Sequence, residues 1–432
     1  MALIVQKYGG TSVADPDRMR AVAENVQITK RHGNDVVVVV SAMGKATDNL
    51  IALAGQVSQT RPGREMDMLL TTGERVSAAL LTMALVDLGV AAVSFTGSQV
   101  GIITDNVHGK AKIVEVKGDR VRDALAAGKV AVVAGFQGVS LDKEITTMGR
   151  GASDLTASAL AKALAADACE IYTDVTGVFS ADPRLVPRAR KLPRISYDEM
   201  LEMAGAGSKV LALRSVEFAR NHGVSLHVRS AFTWEPGTWV TDDDVDGSSS
   251  GSSGSGSSKE QAVEDPIISG VVTDISESKV TVLGVPDRPG ISASLFEPLA
   301  EAGVNVDMIV QNTSTDGTTD ISFTVPSADM AVAEKIVSRV ADEVGATGVT
   351  HDGGIAKLSV VGAGMKSSPG IAAKMFRTLA DEDVNIEMIS TSTIRISVVL
   401  AAADLERAAR ALHTAFGLDS GADYAAPLPE RR

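Results

Sequence analysis

A lysine and a pair of glycines near the start of the chain have the composition of a phosphate-binding turn. Lys7 lies at the end of a predicted buried strand, and Gly9, Gly10, Thr11 and Ser12 follow it. Paired glycines let the backbone turn sharply and present bare N–H groups to an anion, and a lysine adds a compact positive charge. Taken alone, so short a motif is more often a plain strand-end turn beside a surface lysine.

A second glycine-rich segment, residues 149–154, opens a predicted helix. Ser153 or Asp154 would cap this helix, and Gly151 allows a ligand to approach the backbone closely. Free N–H groups at a helix N-terminus bind anions, and Arg150 can hold a carboxylate through two parallel hydrogen bonds. The alternative is an ordinary helix cap beside a surface arginine.

A third set of candidate residues follows a predicted strand near residues 169–175. Thr173 and Asp174 can bond a base or a ribose, and Phe179 offers a flat face to a purine. Arg184 can reach a phosphate group. The same stretch is at least as consistent with a turn braced by an aspartate–arginine pair.

The candidate residues taken together favour phosphoryl transfer. Lys209 offers a second lysine for phosphates, although its segment is equally typical of a plain loop, and Glu74 lies inside an apolar helical pattern. The sequence shows no Ser-His-Asp set and no cysteine nucleophile. Phosphoryl transfer mainly needs positioning and charge neutralisation, and a carboxylate acceptor is already ionised at neutral pH. The absence of a catalytic histidine therefore fits a carboxylate kinase.

The bulk properties indicate a cytoplasmic protein of two or three domains. The 432 residues exceed what one core supports, and the net charge of −13 argues against nucleic acid or an anionic membrane as the main partner. No apolar run approaches the length of a membrane span. The lone cysteine, Cys169, excludes disulfides within the chain and fits a reducing compartment, while six histidines without ligand spacing predict no structural metal site.

Alternating strands and helices predict a mostly parallel sheet with helices on both faces over residues 1–246. Strands are predicted near 36–40, 92–95, 130–136 and 169–175, and helices near 15–30, 65–88, 120–127 and 153–164. The polar loops fall at the carboxyl ends of the strands, where open α/β sheets bind ligands. A Gly/Ser-rich linker follows at 247–265. An internal repeat, with residues 304–309 recurring at 384–389, predicts two ferredoxin-like βαββαβ modules at 266–345 and 346–420, followed by a tail at 421–432.

With these residues in view, the chain resembles the actinobacterial aspartokinases, which have an amino-acid-kinase fold followed by two ACT domains. The motifs that carry the resemblance are Lys7-Tyr8-Gly9-Gly10-Thr11-Ser12, Ser41-Ala42-Met43-Gly44, Thr72-Gly73-Glu74-Arg75, Ser94-Phe95-Thr96-Gly97, Gly149-Arg150-Gly151-Ala152-Ser153-Asp154, Thr173-Asp174-Val175, Ala181-Asp182-Pro183-Arg184 and Gly207-Ser208-Lys209. The resemblance implies an α/β three-layer sandwich and ATP-dependent phosphorylation of the L-aspartate side chain to 4-phospho-L-aspartate, on the way to lysine, threonine and methionine.

The resemblance also implies a role for each matching residue. The residues expected to hold ATP are Lys7, Tyr8, Gly9, Gly10, Ser41, Thr173, Asp174, Phe179, Arg184 and Lys209. The residues expected to hold L-aspartate are Thr47, Glu74, Arg150 and Ser153. Glu74 would take the ammonium group and Arg150 a carboxylate. The residues expected to serve the transfer are Lys7, Arg150, Asp154 and Lys209. Mg²⁺ would bridge the phosphates, with no metal site made by protein side chains alone.

The ACT modules are expected to bind lysine and/or threonine as effectors and to pair into a homo-oligomer. The candidate effector-binding residues are Asp287, Gly290, Ile291, Ser292, Asn305, Gln311, Pro369, Gly370, Asn385 and Thr391. Ile291, Ser292 and Thr393 depart from the pattern of relatives, which predicts weakened feedback.

Two departures near the expected acceptor site leave alternatives open. Ala152 stands where the family usually has glycine, and Leu155 stands where a polar residue is usual. If the glycine position needs a positive φ, alanine strains the turn by about 1 kcal/mol. One alternative is a kinase of the same fold for another small carboxylate. The other is a catalytically silent amino-acid sensor.

Overall fold

The structure, a computed structural model, describes residues 2–242, 268–312, 317–363, 365 and 370–419. The predicted linker at 247–265, the tail at 421–432 and Pro369 lie outside the described residues. The chain divides into two compact units. The first comprises Met1–Val178, Lys191–Ala204 and Lys209–Ser255, and the second comprises Phe179–Arg190, Gly205–Ser208 and Gly256–Arg432.

The first unit is an α/β domain. Its strands are β1 (Leu3–Tyr8), β2 (Asp35–Val40), β3 (Ala92–Phe95), β4 (Ile102–Thr104), β5 (Ile113–Val116), β6 (Val130–Ala134), β7 (Gln137–Ser140), β8 (Ile145–Thr147), β9 (Ala168–Thr173), β10 (Arg194–Ile195), β11 (Leu226–Ser230) and β12 (Thr238–Val240). Its helices are α1 (Pro16–Arg31), α2 (Ala46–Val57), α3 (Gly63–Asp87), α4 (Asp119–Ala126), α5 (Ala152–Leu164), α6 (Tyr197–Gly205) and α7 (Leu213–His222).

The main sheet has the strand order β10-β12-β11-β9-β1-β2-β6-β3, and every neighbouring pair is parallel except β11 with β12. Tyr8, the last residue of β1, is paired with both Val40 and Tyr172. The loops after β1, β2 and β9 therefore meet at one edge of the sheet. A separate small sheet has the order β5-β4-β7-β8. The predicted mostly parallel sheet is confirmed.

Helices cover both faces of the main sheet. Alternate valines of β2, among them Val36 and Val38, pack with Met19 of α1 and Leu81 of α3 in one buried cluster. Helix α5 packs on β1, β2 and β9, with α7 beside it. Burial of both faces explains why β2 is a continuous β-branched run instead of an alternating pattern.

Helix α3 is the one helix among the described residues that is long and apolar enough, by length and composition, to cross a membrane. It nevertheless carries two buried carboxyl side chains, Asp67 and Glu74, and it contributes Leu81 and Leu85 to the core. These features are typical of a core helix in a globular domain.

The structure corrects the expected strain at Ala152. Ala152 is the first residue of α5, and the positive φ belongs to the residue before it, Gly151, at +76°. Ala152 has no positive φ, so the alanine does not strain the turn. Leu155 is buried on the same helix.

The second unit contains two antiparallel sheets. Its strands are β13 (Ile268–Asp274), β14 (Glu277–Pro286), β15 (Ile309–Gln311), β16 (Thr318–Pro326), β17 (Gly348–Asp352), β18 (Ile355–Gly362), β19 (Met388–Thr391) and β20 (Arg395–Ala401). Its helices are α8 (Ile291–Glu301), α9 (Met330–Val344), α10 (Ile371–Asp381) and α11 (Leu405–Ala415). The sheet orders β15-β16-β14-β17 and β19-β20-β18-β13 are equivalent, as expected for two ferredoxin-like modules.

Strand pairing divides the chain between these modules differently from the predicted bounds. β13 pairs with β18, so residues 268–274 complete the second sheet although they precede the first. β17 pairs with β14, so residues 348–352 complete the first sheet. The edge of an antiparallel sheet accepts any strand that reaches it, and a linear repeat does not reveal such an exchange.

Two ion pairs link the modules reciprocally. Lys279 and Lys357 occupy matching repeat positions, as do Asp307 and Glu387. Lys279 Nζ contacts Glu387 Oε2, and Lys357 Nζ contacts Asp307 Oδ2. Lys357 is only 1% exposed and also lies 2.8 Å from Glu277 Oε1. Reciprocal contacts of this kind are typical of a twofold arrangement.

Candidate active site

The glycine turn after β1 packs closely against the loop after β2. The Gly9 N–H donates to the Tyr172 carbonyl oxygen at 3.4 Å, and the Gly44 N–H donates to the Gly10 carbonyl oxygen at 3.0 Å. A Cβ placed on Gly10 would lie 2.8 Å from the Ala42 carbonyl oxygen. No side chain fits at this position without displacing backbone, so the close approach requires glycine.

Lys7 and Asp154 form a nearly buried ion pair beside this turn. Lys7 Nζ lies 2.6 Å from Asp154 Oδ1, and the two side chains are 11% and 9% exposed. The ammonium lies over Gly9, where an added Cβ would come within 3.3 Å of it. Asp154 is in the first turn of α5, where the helix dipole favours negative charge, and its Oδ2 accepts the Ala212 N–H at 3.3 Å. The pair therefore fixes a positive charge over the glycine turn.

Tyr8 points to the face of the sheet opposite Lys7. Its ring is fully buried and stacks on Tyr172, with 4.6 Å between ring centroids. A nucleotide contact from Tyr8 could therefore involve only its backbone. The half-buried Ser41 follows β2 at the same edge, and its N–H donates to the Tyr8 carbonyl oxygen at 3.1 Å.

Glu74 is a buried carboxyl group with unused hydrogen-bonding capacity. Its Oε1 accepts the Ala42 N–H at 3.1 Å, while its Oε2 is buried without a hydrogen-bond partner. Desolvation raises the pKa of Glu74 from its ordinary value of 4.5 to about 7, and the hydrogen bonds from backbone N–H groups oppose this shift only in part. A cationic ligand group would satisfy Oε2 and stabilise the ionised form.

The loop between β8 and α5 brings Arg150 to α2. Arg150 Nη2 lies 3.0 Å from Asp48 Oδ1, and the two side chains are 86% and 55% exposed. Asp48 follows the half-buried Thr47 in the first turn of α2. Ser153 is buried, and its Oγ would lie 2.9 Å from a Cβ placed on Gly135, directly after β6. The predicted acceptor residues Thr47, Arg150 and Ser153 thus lie around the same edge of the sheet.

Two of the residues predicted to bind the nucleotide lie together at the end of β9. Thr173 is the last residue of this strand, and its Oγ1 donates to Asp174 Oδ1 at 3.2 Å. Lys209 is exposed and shortly precedes Ala212, whose N–H reaches Asp154. The phosphate contact of Lys209 stays a prediction.

Phe179 and Arg184 belong to the second unit. Phe179 packs against the buried cluster of α10 and α11, and Arg184 Nε lies 2.9 Å from Asp182 Oδ1 in its own loop. Ser180 Oγ is 2.9 Å from Nε2 of the buried His413 on α11. The turn braced by an aspartate–arginine pair is therefore present, and nucleotide binding by Phe179 and Arg184 stays a prediction.

The effector candidates of the first module lie at both ends of α8 and on β15. Gly290, with φ +94°, precedes this helix, and Ser292 Oγ donates to Gln311 Oε1 at 3.2 Å. Asn305 lines a cavity of about 340 Å³ beside α8 and β15. Ile291 is buried in the module core, and Asp287 is exposed.

In the second module, Gly370, with φ +118°, precedes α10. Asn385 and Thr391 are exposed. Effector contacts of all these residues stay predictions.

Three side chains at this site were missed by sequence reasoning. Asp48 pairs with Arg150, Asp67 accepts the Thr147 hydroxyl, and Arg214 donates to the Met148 carbonyl oxygen. The sequence contained a signal for Asp67, because a carboxylate inside an apolar helix pattern such as that of α3 must be buried with partners.

Comparisons with known proteins agree over nearly the whole chain. Residues 2–230 match the amino acid kinase family, and residues 280–340 and 358–416 match the ACT domain. The chain is 54% identical over 421 residues to an aspartokinase of Mycolicibacterium smegmatis, covering 97% of each protein.

Two solved structures are similar to this one. Aspartate kinase from Synechocystis is 47% identical, with a TM-score of 0.53 over 99% of this chain and 71% of that chain. E. coli aspartokinase III in complex with aspartate and ADP has a TM-score of 0.76 over 96% of this chain and 99% of that chain. At 23% identity, the second comparison shows the fold alone.

Proposed function

This chain belongs to the aspartokinase family and is an ATP-dependent aspartate kinase, and we propose that the Lys7–Asp154 pair and the loops around it carry the phosphoryl transfer. The supporting observation is a nearly buried lysine held 2.6 Å from a carboxylate, over a turn that only glycine can form. The ATP phosphates would lie on this turn, with Lys7 and Lys209 as the two cations. Asp154 would keep the Lys7 ammonium pointing at them.

L-Aspartate would bind between Glu74 and Arg150. The unpartnered Glu74 Oε2 would accept a hydrogen bond from the substrate ammonium, and Arg150 would hold a carboxylate with its planar fork. Thr47 and Ser153 would complete the acceptor pocket.

The reaction needs no general base. One ionised oxygen of the aspartate side chain attacks the γ-phosphorus, the new bond joins that oxygen to phosphorus, and the bond from phosphorus to the ADP oxygen breaks. No proton moves, and negative charge passes to ADP. The contribution of the protein is alignment and fixed positive charge, which is the main need of phosphoryl transfer.

Mg²⁺ fits this site as an ion held through ATP. Among the described residues, no group of three or more His, Cys, Asp and Glu side chains could hold a metal ion. Mg²⁺ commonly keeps several waters and binds substrate phosphates with few protein ligands. When bound, it would neutralise phosphate charge.

The structure weakens the case for a different acceptor. Ala152 lies in an unstrained helical position, so the backbone strain that favoured a different acceptor is not present at this residue.

The test is ADP release with L-aspartate, D-aspartate, L-glutamate and no acceptor, combined with hydroxylamine trapping of the acyl phosphate. Of these acceptors, we expect only L-aspartate to give a hydroxamate. A folded protein that releases no ADP in response to L-aspartate would refute the proposal.

Regulation by lysine and/or threonine is proposed at the ACT modules. The cavity beside Asn305 and the Ser292–Gln311 hydrogen bond support an amino-acid site there. ADP release should be measured with lysine, with threonine and with both together, and at least one of these three conditions should inhibit it. Unchanged rates at millimolar effector would contradict this regulation.

We also propose a cytoplasmic homo-oligomer. β15 and β19 are edge strands, and Ile309 and Ile389 on them are exposed, so pairing between chains would cover apolar surface. Cys169 is a buried free thiol, as expected in a reducing compartment. A monomer by light scattering at micromolar concentration would refute the assembly.

A further inference from the structure

Two charged side chains outside the proposed substrate contacts hold the loop that carries Arg150. Asp67 projects from α3 and is 1% exposed, and Arg214 projects from α7 and is half-buried. We refer to these two residues as the loop brace. An ionised group is costly to bury unless its partners compensate, so the contacts of Asp67 reveal what it holds.

Asp67 binds two separate segments. Its Oδ1 accepts the Thr147 hydroxyl at 2.5 Å, and its two oxygens accept the Gly109 N–H at 3.1 and 3.2 Å. Its Oδ2 also lies 2.7 Å from His108 Nδ1. One carboxylate thus joins the end of β8 to the loop between β4 and β5.

Arg214 binds the same two segments from another helix. Its Nη1 donates to the Met148 carbonyl oxygen at 2.6 Å, and its Nη2 donates to the Ala111 carbonyl oxygen at 3.1 Å. The Ala111 N–H in turn donates to the Thr147 carbonyl oxygen at 3.0 Å. A planar guanidinium suits this task because its donors have fixed directions.

The backbone on each side of Arg150 is tightly confined. Gly149 has φ +87°, and a Cβ added to it would lie 3.3 Å from the Gly109 carbonyl oxygen. Gly151 has φ +76°, and its added Cβ would lie 2.6 Å from the Ala212 Cβ. The exposed Arg150 side chain therefore starts from a backbone whose place is set by its neighbours.

We propose that Asp67 and Arg214 are positioning residues for the acceptor site: they set the backbone of residues 147–151 and thereby the reach of Arg150 towards aspartate. This inference rests on the proposed function, in which Arg150 holds a substrate carboxylate. A displacement of about 1 Å in such a group can lower activity on the order of 100-fold.

The primary test removes single brace contacts and measures the KM values for aspartate and ATP separately. Thr147→Val removes the hydroxyl that Asp67 accepts and keeps the side-chain shape. Arg214→Lys removes the fixed two-donor geometry. Both should raise the aspartate KM at least about fivefold, with the ATP KM within about twofold of wild type, because only the acceptor loop moves.

Two further variants control for general destabilisation. Thr147→Ser keeps the hydroxyl and should return the aspartate KM to within about twofold of wild type. Arg220→Lys changes an exposed arginine on the same helix, 2.8 Å from Asp198, and should leave both KM values unchanged. An unchanged aspartate KM in folded Thr147→Val, or equal rises in both KM values, would overturn the inference.

A double variant shows whether the brace acts through Arg150. With Arg150→Lys already present, Thr147→Val should add little to the aspartate KM, because coupled residues are non-additive. If the two substitutions instead raise the aspartate KM by independent factors that multiply in the double variant, the inference that the brace acts through Arg150 is overturned. An Arg150→Lys enzyme with a normal aspartate KM would instead contradict the proposed role of Arg150, and the single Thr147→Val result would still report on the loop.

Discussion

The cation proposed for the phosphates, Lys7, and the cation proposed for the acceptor, Arg150, are held in opposite ways, although the proposed phosphate side also includes the exposed Lys209 and the proposed acceptor side the buried Glu74. On the phosphate side the functional charge is nearly buried, with Lys7 11% exposed and paired with Asp154. On the acceptor side Arg150 is 86% exposed, and we propose that the buried Asp67 and the half-buried Arg214 support it indirectly through the backbone of its loop.

The difference follows from what each side must do. Charge that stabilises a transferring phosphoryl group acts best when it is already fixed in a water-poor place. The acceptor must enter and its product must leave, which an exposed arginine on a braced loop permits. Changes on the phosphate side should therefore lower kcat, and changes on the acceptor side should raise the aspartate KM.

The largest expected effect is that of Asp154→Asn. Loss of the charge that holds Lys7 should lower kcat on the order of 100- to 1,000-fold, with the aspartate KM changed less than about threefold. Steady-state kinetics measure both constants, and Asp119→Asn, at an exposed position of α4, is the control variant. A kcat of Asp154→Asn within threefold of wild type would contradict the proposed difference between the phosphate side and the acceptor side.

Glu74→Gln should raise the aspartate KM at least about tenfold, because the substrate ammonium loses its anionic partner. With a Glu74 pKa of about 7, the wild-type aspartate KM should fall from pH 6 to pH 8 as the carboxylate ionises, and the variant should lose this dependence. A wild-type KM that is flat over this range would contradict the assignment.

The same group predicts a stability change. Because the pKa of Glu74 is raised on folding, its contribution to stability is fully present below pH 4.5 and is lost as pH rises through about 7. Glu74→Gln should therefore melt at a higher temperature than wild type at pH 8, and the gain should shrink at pH 5. A lower melting temperature at pH 8 would count against an uncompensated buried carboxylate.

Arg150→Lys should raise the aspartate KM about tenfold while kcat stays within about threefold, since lysine cannot form two parallel bonds to a carboxylate. Arg122→Lys, at an exposed ion pair of α4, is the matched control. A fall in kcat with an unchanged KM would place Arg150 on the phosphate side instead.

The smallest expected effect is that of Asp48→Asn. An exposed ion pair contributes about 1 kcal/mol or less, so removing this competitor for Arg150 should lower the aspartate KM by less than about threefold. A tenfold change in either direction would show that Asp48 takes a larger part in acceptor binding than its exposure indicates.

Much of this arrangement could be predicted from sequence. Helix patterns at residues 15–30 and 65–88 correspond to α1 and α3, because local periodicity is sufficient to predict such helices. The family resemblance, and not the local pattern, assigned Lys7 and Asp154 to one site, where the structure pairs them.

Features that depend on distant pairing could not be predicted. The loop brace requires Asp67 to meet Thr147, 80 positions away in the chain, through a small sheet whose strands are only three or four residues long. Strands this short have too little alternation to be recognised. The placement of β13 in the second ACT sheet is hidden for a different reason, because this seven-residue strand precedes the whole first module in the chain.

The most direct test of the phosphate-side centre is the kcat of Lys7→Met at saturating aspartate and Mg-ATP, measured beside Lys162→Met, an exposed lysine on α5. We expect kcat to fall at least about 100-fold in Lys7→Met and to stay at the wild-type value in Lys162→Met. Lys7→Met should also melt at a lower temperature than wild type, because Asp154 loses its partner, so both variants are assayed well below their melting temperatures. A Lys7→Met enzyme that keeps kcat within tenfold of wild type would contradict the role of the Lys7–Asp154 pair in transfer.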